Sequence, residues 1–454
     1  MTRVLVFQLL LFLAWAEDAP PCRKSPLLVA LTKPGADAQE LVAYGGKGWE
    51  WARKGKGGKG KLKKRVEMFS DVWRYEVDQG EWFRFETSGP LGRWKEAATP
   101  VQNSSKLVLM GGCTETSVQF SRNDLWVFNP ADGTWVEVET RNKPVPRRGH
   151  VIVANQSHLI MFGGKSTKHY AKRSYAELPE DENPQQGEKC LVDLWAISKE
   201  EVLAGSEPRW TQGPPFPAPC RWGSTGVVIS GKGGAKKRYL AFFGGRHLGE
   251  GSVEHTDQSA YIYYNDLWLY DFIQEKWSLA PTEGPRPPAR DHHGSATLQG
   301  KLFIYGGRRS EKREEHSVLA DVWSYDLDTS RWTFYEPQNA APMARFMPGV
   351  SDWKYKGVPH LAIFAGESLP GSTKRTTMND LWVFNPHSGI WTELFTSNCD
   401  LPAHDLSKRE ETPAVMYTTE ALCLVAGFGF VSLLVLGLKK LRPSVAREMQ
   451  EPLL

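Results

Sequence analysis

One short phrase recurs six times along this 454-residue chain: an apolar run ending in a pair of small residues. It reads LVAYGG at 41–46, LVLMGG at 107–112, LIMFGG at 159–164, LAFFGG at 240–245, LFIYGG at 302–307 and LAIFAG at 361–366. After each comes an aspartate, an apolar residue and a tryptophan, the last at Trp73, Trp126, Trp195, Trp268, Trp323 and Trp382. A second tryptophan closes every unit, at Trp82, Trp135, Trp210, Trp277, Trp332 and Trp391. Twelve of the 18 tryptophans are therefore accounted for by the repeat. Modules of this kind cannot bury their own faces and must stack on one another.

Apolar runs of four to six residues, rich in aromatic and branched side chains, read as strands buried on both faces. The nine-residue step between the two tryptophans suits two strands joined by a tight hairpin; only the third unit carries an insertion there. Paired glycines allow positive φ or a close backbone approach. With one more apolar piece upstream, each unit holds four strands. Radial stacking then leaves no open end.

Glycine pair, tryptophan on the third strand and a second tryptophan on the fourth: this pattern resembles the kelch family. The resemblance spans about residues 26–395. The family also places a Pro-x-x-Arg segment before the first strand, matched by Pro90-x-x-Arg93, Pro144-x-x-Arg147, Pro287-x-x-Arg290 and Pro342-x-x-Arg345. Arg221 stands in the same place with Ala218 where the proline belongs, and the first unit lacks a clear counterpart. Ala365 replaces the first glycine of the sixth pair. The resemblance implies an all-β, six-bladed propeller over residues 22–399, with blades near 26–86, 93–139, 147–213, 221–281, 290–337 and 345–396. It also implies a binding scaffold, since kelch relatives are mostly that and only in a minority enzymes.

The termini indicate a compartment. A cationic start, an apolar core at 4–13 and the small-x-small Ala14-Trp15-Ala16 read as a signal peptide over 1–16. Residues 421–438 carry no charge, the minimum length for a transmembrane helix, and Lys439, Lys440 and Arg442 follow at once. The expectation is a single-pass type I membrane protein: a propeller outside the cytosol, a stalk at 400–420 and a cytosolic tail at 439–454.

Formal net charge is only +4, but residues 47–65 hold nine Lys or Arg against Glu50 alone. A global nucleic-acid footprint is absent and one basic stretch is present. It comprises Trp49, Trp51, Arg53, Lys54, Lys56, Lys59, Lys61, Lys63, Lys64 and Arg65, and suits an acidic protein, an acidic glycan or an anionic headgroup. It belongs to a set of long excursions between second and third strands, at 47–70, 113–122, 165–189, 246–264, 308–319 and 367–378. All would emerge on one face, where loops of that length favour binding. The sequons at Asn103 and Asn155 fall in turns of the opposite face, which glycans would shield. Cys22 and Cys399 flank the repeats and are expected to bond; Cys190 and Cys220 share a face and are plausible partners, with Cys113 a competitor for either. Cys423 lies in the apolar span.

No catalytic or metal constellation emerges, and no cofactor is expected. Gly55-x-Gly57-x-x-Gly60 lies in a Lys/Gly run with no helix after it, and Gly55-x4-Gly60-Lys61 continues with Leu62 where a phosphate loop needs Ser or Thr. The five repeated arginines, Arg93, Arg147, Arg221, Arg290 and Arg345, carry two readings. They would ring the channel mouth and grip ligand carboxylates, or tie their strands to carbonyls or an aspartate of a neighbouring blade. His150 and His293 occupy matching positions and read as core polar residues. The leading expectation is a membrane-anchored module that binds a protein or glycan through its loop face. The alternatives are a lumenal enzyme on an acidic sugar and a sorting receptor.

Overall fold

The computed structural model describes residues 19–32, 39–53, 62–101, 104–114, 121–167, 188–233, 237–248, 261–310, 317–369, 375–396 and 399, with side chains left out at 50–53, 62–64, 167 and 188. The expected signal peptide at 1–16, Lys54, Lys56, Lys59, Lys61, Asn103 and the expected stalk, span and tail at 400–454 lie outside those residues, as do the side chains of Trp51, Arg53, Lys63 and Lys64. No helix among the described residues is long and apolar enough to cross a membrane.

The chain is all-β. The first repeat forms an antiparallel sheet of Leu27–Thr32, Gln39–Tyr44, Val72–Glu76 and Glu81–Arg84, in chain order from inside to outside. The next four repeats do the same; their innermost strands are Ala97–Val101, Val151–Ala154, Thr225–Ser230 and Gly294–Leu298. Innermost strands of consecutive units pack side by side, and Gly349–Tyr355 of the sixth repeat packs beside Leu27–Thr32 of the first. The insertion of the third unit is a short helix, Lys199–Ala204. Ser198 caps it by accepting from the Glu201 amide, and Gly205 ends it at φ 67°.

Six separate four-stranded blades were expected, and the sheet count corrects this. Five repeats are free-standing four-stranded sheets, whereas Gly349–Tyr355, Val358–Ser368, Thr376–Asn385 and Ile390–Phe395 of the sixth belong to a seven-stranded sheet. In the sixth repeat a bulge at Ala365 (φ 56°) is bridged, and the second and third strands run on past it as far as the Ser368↔Thr376 pair. Met378 then pairs with Arg23 of the two-residue strand Arg23–Lys24, which pairs in turn with Lys47–Arg53, and that with Leu62–Met68. Segments flanking and within the first repeat thus share one sheet with the sixth. A disulfide between Cys22 and Cys399, Cα atoms 5.6 Å apart, lies at the same seam.

Packing between sheets explains the tryptophans. The second Trp of one unit lies against the aromatic that precedes the small-residue pair of the unit before: Trp135 on Tyr44 (5.2 Å between centroids), Trp277 on Phe162 (4.9 Å), Trp332 on Phe243 (5.1 Å) and Trp391 on Tyr305 (5.5 Å). Trp82 of the first unit meets Phe364 of the sixth at 4.9 Å, so the same staple is applied where the series closes. Trp210 shares a core with Met110, the one non-aromatic at that position.

The excursions are not bare loops at their roots. Lys47–Arg53 ladders with Leu62–Met68, Lys165–Thr167 with Glu188–Cys190, and Arg246–Leu248 with Tyr261–Tyr263.

A cationic, aromatic collar at the channel mouth

The repeated arginines are buried, between 0% and 3% exposed, and their donors point into the fold. Arg93 clasps Asp124 at 2.9 and 2.8 Å, Arg147 clasps Asp193 at 2.8 Å twice, Arg290 clasps Asp321 at 2.7 Å twice, and Arg345 clasps Asp380 at 2.6 and 2.8 Å. Arg221 pairs with Asp266. Each Nε donates to the carbonyl two residues back, for example Leu91 and Val145. In four of them Nη1 also reaches the carbonyl of the first small residue, at Gly111, Gly163, Gly306 and Ala365. Each aspartate in turn accepts the indole N–H two residues on, at 2.6–2.9 Å. Of the two readings of these five arginines, the ligand-gripping one is corrected, because their donors are taken up inside the fold, and the strand-tying one holds. They knot the entry, second and third strands of their own unit, not a neighbouring blade.

A sixth knot exists that the sequence reading missed. Arg23 holds Asp71 at 2.7 and 2.6 Å and the Gly45 carbonyl at 2.9 Å, and Trp73 donates to Asp71. The signal was present as Pro20-x-x-Arg23, just upstream of where the first repeat was expected to begin. Burial alone would raise the carboxyls of Asp71, Asp124 and Asp193, but the paired guanidiniums outweigh it and hold all three low.

The residue after each arginine forms a backbone bridge with the residue after the small-residue pair. The bridges are Lys24↔Lys47, Trp94↔Cys113, Arg148↔Lys165, Trp222↔Arg246, Asp291↔Arg308 and Phe346↔Glu367. One residue further the chain is left-handed in all six units: Ser25, Lys95, Gly149, Gly223, His292 and Met347, at φ 51–69°. These turns bond to one another, Gly149 N–H to Lys95 O, Met347 N–H to His292 O and Ser25 N–H to Met347 O, at 2.7–2.8 Å. The result is a collar round the channel mouth.

Its chemistry is lopsided. The bridged pairs supply six cations, three aromatics and two acids, and Lys95 adds a seventh cation. Asp291, fully buried, is shared by Arg246, Arg308 and His292 at 3.0, 3.0 and 2.6 Å; Glu367 takes Lys24 at 2.9 Å. Lys47 and Lys95 stand over the Trp94 ring at 4.7 and 4.4 Å, and among the described residues neither has a carboxylate partner. Burial, then Arg148, pushes the Lys95 ammonium down to about 7. Lys165 lies 3.7 Å over Trp222, whose ring Arg246 also approaches. Glu96 sits just below, its carboxyl pushed up to about 8 by burial and without a partner among the described residues.

The collar opens into a cavity of about 250 Å³ lined by Lys95, Arg148, Lys165, Trp222, His292 and Met347, and beyond it a channel of about 1060 Å³ runs between the innermost strands. His150 and His293 are buried beside it; burial lowers both to about 3, so they are neutral core groups. Cys190 and Cys220 are joined, tying the third excursion to the link before Trp222, and Cys113 is buried and free. On the other face, Asn155 occupies the turn between Val151–Ala154 and His158–Phe162, its side-chain oxygen accepting from the Ser157 and His158 amides.

Residues 56–230 and 185–427 match the family model described as the KLHDC2/KLHL20/DRC7 Kelch-repeats domain. Kelch domain-containing protein 10 of Xenopus tropicalis is 24% identical over 421 residues, covering 87% of this chain and 85% of its own length. Kelch domain-containing protein 2 of Bos taurus is 25% identical over 301 residues, 62% of this chain and 63% of its own. Tip elongation aberrant protein 1 of Schizosaccharomyces pombe is 26% identical over 247 residues, 53% of this chain and 17% of its own. With the repeated Arg–Asp–Trp knots and the family match running across most of its length, the chain belongs to the kelch-repeat family.

Proposed function

We propose that this kelch propeller is an interaction module that captures an acidic segment of a partner protein at its collar. The observation that carries the reading is the collar's unbalanced composition: six bridged Lys and Arg plus Lys95 against Asp291 and Glu367, with Lys47 and Lys95 crowded on one indole. Like charges held together in a partly desolvated funnel favour an incoming anion, and indole faces add apolar contact. An acidic glycan fits the same charge and is the second reading, supported by the tryptophans. The test is titration of the purified protein with an acidic peptide at rising salt. Lys47→Gln with Lys95→Gln should weaken binding at least tenfold and flatten the salt dependence; unchanged binding rejects the collar.

The ring is read as six-bladed, with the four strands of the sixth repeat as its last blade, because the innermost strands close from Gly349–Tyr355 onto Leu27–Thr32. The module is further read as held by the apolar span 421–438, with the propeller on the non-cytosolic side. The apolar start, the two disulfides and the sequons support that placement. A glycosidase-sensitive mass on Asn155 in secreting cells is the expected result; unmodified Asn103 and Asn155 would count against it.

A further inference from the structure

We infer that the edge of the seven-stranded sheet is a second docking surface, which takes up an extended acidic segment of a partner by adding it as an eighth strand. The inference rests on the acidic-partner reading above and specifies how the basic stretch takes part in it.

Leu62–Met68 is the last strand in that sheet's order, and among the described residues it pairs with Lys47–Arg53 alone. The direction of its free hydrogen-bonding groups follows from the register. Phe69 N–H donates to Gly46 O at 2.9 Å, and Lys47 pairs with Met68. That makes Lys47↔Met68 a non-hydrogen-bonded pair, and antiparallel pairs alternate. Gly48↔Glu67 is then bonded, and Trp49↔Val66 is not. The amides and carbonyls of Val66, and by alternation of Lys64 and Leu62, thus face the side where no strand lies among the described residues. Val66 itself is 53% exposed.

Such an edge is a template for another chain, and its charge selects which. Leu62–Met68 carries Lys63, Lys64 and Arg65 against Glu67 alone, which pairs with Arg65 at 3.4 Å, so the edge is net cationic. A second copy of this chain would set lysine against lysine across the new pair, which is unfavourable. An extended segment with acidic residues at alternate positions meets both demands. The strand also begins its ladder at Lys47, which stands over Trp94 in the collar. A segment seated on the edge therefore runs toward the mouth, and one partner can engage both.

The test uses the detergent-solubilised full chain and two labelled peptides of equal charge, (Glu-Val)6 and (Glu-Pro)6; the second cannot form a strand. Strand addition predicts at least tenfold tighter binding of the valine peptide. Val66→Pro, which removes an outward N–H and no existing ladder bond, should abolish that preference, while Val66→Thr retains it. Amide exchange gives an independent reading: the valine peptide should slow exchange at Lys64 and Val66. Equal binding of both peptides, or exchange at those amides unchanged on binding, overturns the proposal. So does binding to phosphatidylserine vesicles without preference for the valine peptide, which would make the stretch a membrane surface. Failure of the collar reading would appear separately, as Lys47→Gln with Lys95→Gln leaving (Glu-Pro)6 binding intact.

Discussion

Arg147 and Arg148 are neighbours in sequence and opposites in role. The first has counterparts at Arg23, Arg93, Arg221, Arg290 and Arg345, and in every unit it is buried on the aspartate before the third-strand tryptophan. The second has counterparts at Lys24, Trp94, Trp222, Asp291 and Phe346, and these surround the mouth. In a chain built from copies, a residue kept in every copy answers to something every copy needs, and that is its own fold. A residue free to differ answers to something the ring does once.

The contrast breaks most visibly at the knots. Arg147→Met leaves Asp193 uncompensated at the root of three strands, and unfolding in denaturant should show a loss of about 3–5 kcal/mol. The loss should shrink in acid. Asp193 is held low by its partner, so its contribution is present above the unfolded carboxyl value of about 3.9 and vanishes as pH falls through the folded value. A wild-type stability curve that is flat below pH 4 would contradict this.

Trp332→Ala removes an inter-unit staple and should cost about 3–5 kcal/mol by the same measurement. Trp323→Phe loses only the indole bond to Asp321 and should cost about 1 kcal/mol.

At the mouth the sign reverses. Lys95→Gly relieves a left-handed backbone and a desolvated ammonium together, and should raise stability by about 1 kcal/mol while weakening acidic ligands. A loss of stability comparable to that of Arg147→Met would erase the distinction between the two rings.

The smallest effect concerns pH. As pH rises from 6 to 9, Lys95 loses its proton near 7 and Glu96 loses its own near 8, so the mouth turns less positive twice. Affinity for an acidic peptide should fall across that window. In Lys95→Gln with Glu96→Gln it should stay flat.

Most of the architecture was legible because apolar period, paired glycines and tryptophans are statements about burial, and burial is what a repeat conserves. The arginines were legible as a set, with a ligand-gripping and a strand-tying role both open. Their recurrence could not say whether they faced the ring's axis or their own aspartates. Arg23 escaped because the resemblance puts the start of the first repeat near residue 26, although Arg23 stands four residues before Leu27 just as Arg93 stands four before Ala97. The merged sixth sheet escaped for a different reason: only when the first and sixth repeats meet does Met378 find Arg23. The collar was hidden because its members share a position and no residue type.

That meeting of the first and sixth repeats has a consequence for biosynthesis. The segment around Cys22 and Arg23 leaves the ribosome among the first, yet its strand partner Met378 and its sulfur partner Cys399 come more than 350 residues later. At about 5–20 residues per second the early thiol waits roughly 20 to 75 seconds. In that interval Cys22 is open to the wrong thiol, and Cys113, Cys190 and Cys220 all emerge before the right one.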